Sequence, residues 1–311
     1  MSRPTRSEKP AGDDLRGVGT WLLLRGLTRE AGHWGRFPQL LQAALPGARI
    51  LAIDLPGNGT LHRHPSPTSI PEMVTACRGE LAAHGVSGPV HVVAMSLGAM
   101  VAVAWAAAHP EELCGCVLIN SSLRGISPMR QRLRPTSWPQ LLSVPLRRTA
   151  RGREAVVLRL TSRRAPPGAL DEWAELARQR PVSTHNALRQ LLAAACFQAP
   201  ASRPSVPMLV LCSGRDALVS PECSLALARR WDLPVHLHPD AGHDLPLDDG
   251  AWVAARIRDW AATLDPAPPR PPSAEQSRVA HGRNRQSGTA HRENAGSGAG
   301  LSLECGPRVR T

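Results

Sequence analysis

Residues 90–100 read VHVVAMSLGAM. A short apolar run ends in Ala94-Met95-Ser96-Leu97-Gly98, and a helix-friendly segment, AMVAVAWAAAH, follows without a spacer. So sharp a passage from strand to helix packs the two backbones closely, which requires small residues around the turn. The same rhythm recurs along the chain. Apolar strands are predicted at 20–24, 48–57, 89–95, 113–121, 206–214 and 234–239. Helices are predicted at 35–45, 69–85, 97–108, 221–231 and 251–263, with Pro71 near the start of the second and Gly85 beyond its end. The strands are continuously apolar instead of alternating, as in a parallel sheet covered by helices on both faces. The expected fold class is therefore α/β.

The rhythm breaks over 122–203. That segment offers candidate helices at 138–147, 151–161, 169–179 and 184–196, several prolines and no convincing strand. It reads as a helical cap inserted after the fourth core strand. The core is then 19–121 together with 204–264. Residues 1–18 read as a disordered leader. Residues 265–311 are rich in Pro, Gly, Ser and Arg and nearly devoid of large apolar side chains. Such a tail buries too little surface to offset its chain entropy and is expected to be disordered.

Composition excludes several kinds of chemistry. Lys9 is the only lysine, so neither a P-loop nor a Schiff-base lysine is available. The net charge of +12 comes almost wholly from arginine, in a chain rich in Ala and Pro and lacking Tyr. That pattern is one of genome composition, and no nucleic-acid module accompanies it, so no nucleic-acid partner is expected. The seven cysteines are scattered without a C-x-x-C pair, which argues against a disulfide framework and a zinc site. No run of about 18 uncharged apolar residues is present, so no membrane partner is expected. The polar first residues lack the apolar stretch of a secretory signal, so a cytoplasmic location is expected.

Three positions carry a candidate constellation. A serine hydroxyl becomes a nucleophile when a base takes its proton and a third group orients that base. The sites of open parallel sheets form beyond the C-terminal ends of the strands. Ser96 lies there, followed by a helix; its alternative role is to cap that helix. Asp216, in LVLCSGRDALVSPE, follows the fifth strand; its alternative is a turn or capping aspartate. His243, in HPDAGHDLPLDD, follows the last strand; its alternative is a surface-loop histidine. His236 and His238 fall within the strand and are poor candidates for a base. Asp244, Asp248 and Asp249 come beside or after the histidine instead of after the preceding strand, as Asp216 does.

The blocks LLLRGLTREAGHW, ILAIDLPGNG, VVAMSLGAMVAVAWAAAHP, LVLCSGRDALVSP and DAGHDLPLDD resemble successive blocks of the α/β-hydrolase superfamily over about residues 20–263. Within it, the chain resembles the carboxylesterase branch that includes the pimeloyl-acyl-carrier-protein methyl ester esterases of biotin synthesis. The resemblance implies the α/β-hydrolase fold, a Ser96–Asp216–His243 triad and an oxyanion hole made by the backbone N–H groups of Leu27 and Leu97. It implies hydrolysis of a carboxylic ester or thioester through an acyl-enzyme, with no metal or organic cofactor. The same triad also serves thioesterases, C–C bond hydrolases, perhydrolases and acyltransferases, and the scaffold also carries non-catalytic ligand-binding proteins.

This chain departs from the family pattern at three places. Ala94 replaces the first glycine of G-x-S-x-G, Arg25 replaces the histidine of the H-G pair, and Asn58 replaces the histidine of D-x-P-G-H-G. Arg25 either brings positive charge to the pocket or turns away from it. The glycine-rich turn at Asn58 reads as structural. The glycosylation-like triplets at Asn58 and Asn120 read as chance matches. Residues 121–164 hold eleven arginines and one acid, Glu154. That stretch is either a solvated basic surface or, as the resemblance implies, a docking face for an acidic acyl carrier protein.

Overall fold

In β1 (Thr20–Leu24), Trp21 and Leu23 enter one apolar cluster while Leu22 and Leu24 enter another, and all four are fully buried. Both faces of the strand are thus covered, and the run needs no polar alternation. The computed structural model describes residues 19–264. The expected leader and tail lie outside the described residues.

Six parallel strands form one sheet in the order β2-β1-β3-β4-β5-β6. The others are β2 (Arg49–Ile53), β3 (Val90–Met95), β4 (Leu113–Ile119), β5 (Met208–Ser213) and β6 (Val235–His238). On one face, the cluster containing Trp21, Leu23 and Val93 is closed by α1 (Phe37–Ala44) and by a C-terminal helix. On the other face, α2 (Ile70–Ala83), α3 (Leu97–Ala108) and a later helix cover Leu22, Leu24 and Val92. This is the α/β fold expected from the strand–helix rhythm.

Between β4 and β5 the chain makes a helical excursion: α4 (Met129–Arg132), α5 (Trp138–Ser143), α6 (Ala150–Thr161), α7 (Ala169–Gln179) and α8 (Thr184–Cys196). It leaves and rejoins the core at one place. Arg124 and Gln198 form a parallel bridge, and the Ala199 amide donates to the Arg124 carbonyl at 2.9 Å. The chain then adds α9 (Pro221–Trp231), which joins α2 and α3, and α10 (Leu245–Ala261), which joins α1.

Two helices differ from expectation by about a turn or more, and others by one or two residues at an end. The helix expected over 138–147 stops at Ser143, just before Pro145, whose missing N–H cannot continue the ladder. The helix expected over 251–263 begins instead at Leu245 and is broken at Asp249, which is non-helical. The Asp249 carboxylate accepts from the Trp252 amide at 3.0 Å and so starts the second helical piece, the one visible as a periodic pattern. The short α4 was not expected at all.

Candidate active site

Ser96 follows β3 and immediately precedes the first residue of α3. Its φ is 54° and its ψ is −114°, a strained conformation for a residue with a side chain. The strain is held from both sides. The Ser96 amide donates to Ile119 O on β4 at 2.9 Å, and the Ser121 hydroxyl donates to Ser96 O at 3.1 Å. The Ser96 hydroxyl does not cap α3, so the alternative use of this serine is not what its geometry serves. Four non-glycine residues among those described have positive φ, and three of them, Thr28, Ser96 and Asn120, follow β1, β3 and β4 at one end of the sheet.

Two glycines explain the tightness of the turn. A Cβ on Gly98 would lie 2.6 Å from Leu24 O and 2.7 Å from Arg25 O, so the helix start is pressed against the end of β1. A Cβ on Gly26 would lie 3.1 Å from the Cβ of Ser96. The loop carrying Gly26 and Leu27 therefore runs directly beside the serine side chain. Leu97, the other expected donor, opens α3, where the first amides have no partner within the helix. Ala94, in place of the usual glycine, sits fully buried in β3 opposite Leu24 and Leu118, where its methyl group is accommodated.

Asp216 and His243 meet. Asp216 Oδ2 lies 2.6 Å from His243 Nδ1, and both residues are buried. The other carboxylate oxygen accepts the amides of Leu218 and Val219 at 2.8 and 2.9 Å. Asp216 is thus a turn aspartate and a partner of the histidine at once, one oxygen for each. Burial opposes a charge on the His243 ring. The charge and hydrogen bond of Asp216 outweigh it, Asp244 adds to them, and Arg25 subtracts. The net result holds His243 above the ordinary histidine range.

Arg25 does not open toward solvent. It is 2% exposed and forms a two-pronged ion pair with Asp244, at 3.1 and 2.5 Å. Its guanidinium also lies 4.9 Å above the Trp34 ring. The Arg25–Asp244 pair therefore ties the Gly26–Leu27 loop to the residue next to His243. Its place in the sequence had set Asp244 aside as a candidate acid, and its role is this ion pair.

Three further residues build the site. Asn120 donates to the His243 carbonyl at 2.7 Å and to the Ser213 hydroxyl at 2.9 Å, and it accepts the Ser213 amide. It joins the ends of β4 and β5 to the histidine loop. Asp248 accepts the Gly242 amide at 2.7 Å and the amides of Arg163 and Arg164 just beyond α6. His238, at the end of β6, accepts the Asp240 and Ala241 amides and shapes the same loop. None of these has a linear motif. The signal, where there is one, is a polar side chain at the C-terminal end of a strand.

A cavity of about 420 Å³ opens beyond Thr28, the residue after Leu27. It lies between the Thr28–His33 loop and the excursion, and its walls include Arg29, Arg180, Val157 and Leu176. Ser96 and His243 are not among its walls. Two half-buried ion pairs, Arg29–Glu154 and Arg180–Glu30, fasten α6 and α7 to that loop at 2.7 and 2.6 Å. Among the described residues, one group, His109, Glu111 and Glu112, has the spacing to hold a metal ion. It precedes β4, far along the strand from Ser96, and Glu112 is already engaged by Arg78 and Trp105. The six described cysteines are free, and burial pushes the thiols of Cys77, Cys116 and Cys212 up to about 12. Those three behave as small apolar residues, not nucleophiles.

A model of the alpha/beta hydrolase family matches residues 21–256. Solved structures share the fold at low identity. A thermophilic esterase from Thermogutta terrifontis is 23% identical, with a TM-score of 0.57 over 78% of this chain and 88% of its own. A hydrolase from Pseudomonas aeruginosa PA01 is 17% identical, with a TM-score of 0.64 over 80% and 91%. A lipase-esterase related protein from Clostridium acetobutylicum ATCC 824 is 12% identical, with a TM-score of 0.59 over 78% and 94%. No curated protein matches the chain in sequence.

Proposed function

Since the chain belongs to the alpha/beta hydrolase family, we propose that it is a serine hydrolase that cleaves a carboxylic ester or thioester through an acyl-enzyme on Ser96. One observation carries this reading: the 2.6 Å contact between buried Asp216 and His243, with Asp216 locked by two backbone amides. With Nδ1 committed to Asp216, Nε2 is the ring atom left to serve Ser96. The strained turn at Ser96 supports the same assignment, since its hydroxyl is not spent on the helix.

In this mechanism neutral His243 takes the hydroxyl proton of Ser96 as Oγ attacks the acyl carbonyl. The Leu27 and Leu97 amides donate to the oxyanion, each contributing on the order of a hundredfold in rate. The imidazolium, stabilised by Asp216, then protonates the leaving alcohol or thiol. Water attacks the acyl-enzyme with His243 again as base, and Ser96 is released. The excursion acts as a cap, and the cavity beyond Thr28 holds the part of the substrate remote from the scissile bond.

A fluorophosphonate probe tests the nucleophile. Wild type is expected to label, and Ser96→Ala and His243→Ala are not; equal labelling of all three would overturn the reading. Turnover of p-nitrophenyl esters and acyl thioesters of graded length then separates esterase from thioesterase. A pimeloyl methyl ester borne on an acyl carrier protein belongs in that panel, because it tests the carboxylesterase branch directly.

A further inference from the structure

Helix α8 is inside out. Its buried face carries Asn186 and Gln190, and Gln190 is 0% exposed. Both side chains are consumed by the core. Gln190 accepts the Thr28 amide at 2.8 Å and donates to Asn58 and to Ser66; Asn186 accepts the Ser66 amide at 2.9 Å and donates to His64 O. Leu188, Leu191 and Leu192, at the i, i+3, i+4 spacing of one helix face, are exposed instead, Leu188 by 61%. A second apolar row runs along α5 and the turn after it. Trp138, Leu142 and Leu146 recur every four residues, and the two leucines are 73% and 80% exposed. The segments that carry the two rows border one cavity, Val144 and Pro145 on one side and Thr184 and Ala187 on the other. Seven of the eight exposed large apolar side chains among the described residues lie on the excursion.

The charge on the two segments that carry these rows is of one sign, while α7 between them in sequence holds Asp171, Glu172 and Glu175. Over 121–164 the single acid is Glu154, and it is buried against Arg29. Residues 181–200 contain no acid. Arg130 is exposed, and so are Arg147 and Arg148, which follow Leu146 at the end of the second row. Exposed leucine and tryptophan on segments whose exposed charges are arginine match an interface that is anionic at its surface and apolar below it. A second copy of this chain would bring arginine against arginine. A protein partner would need an acidic rim and a groove cut to fit two rows, whereas a headgroup layer supplies anion and apolar depth without shape matching.

We propose that this face of α5 and α8 seats on an anionic phospholipid surface, with the leucines and Trp138 entering the headgroup layer and the arginines pairing with phosphate. The inference departs from the expectation of no membrane partner. It does not depend on Ser96 being a nucleophile. The face is also the one expected to meet an acyl carrier protein, so that partner belongs in the test.

The experiment is co-sedimentation of the full chain with phosphatidylcholine vesicles, with and without about one-third phosphatidylglycerol. Wild type and Ser96→Ala are expected to bind the anionic vesicles alike and the neutral ones far more weakly. The pairs Leu188→Asp with Leu192→Asp, and Leu142→Asp with Leu146→Asp, are each expected to weaken binding on the order of tenfold or more. Arg147→Gln and Arg148→Gln should each weaken it about fivefold. All four leucine changes are at exposed positions and should preserve folding and turnover of a soluble ester. Failure to bind anionic vesicles would overturn the proposal. So would leucine variants that bind as tightly as wild type, which would assign binding to basic charge elsewhere in the chain. Self-association, or capture of acyl carrier protein, that is lost in the leucine variants while vesicles are ignored would also overturn it.

Discussion

Helices α3 and α8 are nearly equal in length and opposite in construction. In α3 the residues from Leu97 to Ala106 are all buried, so the helix is apolar on every side and is held by packing. In α8 the inner face is held by amide hydrogen bonds and the outer face is leucine. The difference extends to the regions they belong to. The sheet and its helices are fixed by apolar burial, which is tolerant in direction but strong. The excursion adds Ala193 to that core and is tied to the loops beyond the strands by directional groups: Asn186, Gln190, two arginine–glutamate pairs and Asp248. A rigid base thus presents Ser96 in a strained turn, while the layer above it is registered by hydrogen bonds that fail singly.

The largest test of this contrast lies at the head of α3. Ser96→Ala should lower ester turnover on the order of 10⁴-fold or more, and His243→Ala nearly as much, because the members of a triad act as one unit. Neither should lower the melting temperature by more than a few degrees. Turnover of Ser96→Ala within a few-fold of wild type would remove α3's turn from the chemistry.

The next effect lies where the two loops of the site are joined. Asp244→Asn leaves the Arg25 guanidinium buried without its counter-charge, at a cost of about 3–5 kcal/mol in chemical denaturation. It also changes the pH profile. His243 must be neutral to act as base, and its pKa is raised. The acid limb of kcat/KM in wild type should therefore lie above the ordinary histidine range, with activity falling as pH drops through it. Asp244 is one of the groups that raise this pKa, and Arg25 lowers it. Asp244→Asn removes the first and leaves the second unopposed, so the limb should move to lower pH. An unmoved limb would make the pair purely structural.

A smaller loss is expected at α8. Gln190→Leu would leave the Thr28 amide unpaired and strip partners from Asn58 and Ser66, at about 1–3 kcal/mol. Turnover should fall as well, since Thr28 follows Leu27. The smallest effect should come from the outer face of the same helix. Leu192→Asp should change stability by no more than about 0.5 kcal/mol. If the inner and outer substitutions cost the same, α8 is not built inside out.

The sheet was legible because its strands are apolar without interruption, and Trp21 and Leu22, facing opposite clusters, show why. Asp216 and His243 were legible because each lies past a strand end, and the structure brings them together. Other parts of the site were not. Arg25 and Asp244 are 219 positions apart, and nothing local marks them as an ion pair. Asn120 resembled a chance triplet, yet its amide fastens the His243 loop. The polarity of α8 was hidden for a different reason. Periodicity shows that a helix has two faces, but not which face meets the core, and here the core offers it the polar groups of Thr28, Asn58 and Ser66.

The meeting of Arg124 and Gln198 has a consequence for how such a chain diversifies. Because the segment between them departs and returns at neighbouring points, its length hardly changes the entropy of closing it, which grows only with the logarithm of loop size. Residues 125–197 are in that sense an exchangeable cassette. A graft of another cassette at the same two points should leave the sheet intact while replacing the walls that the excursion gives the cavity beyond Thr28. Inheritance can then replace that whole layer in one recombination event, with the strands beneath it unchanged.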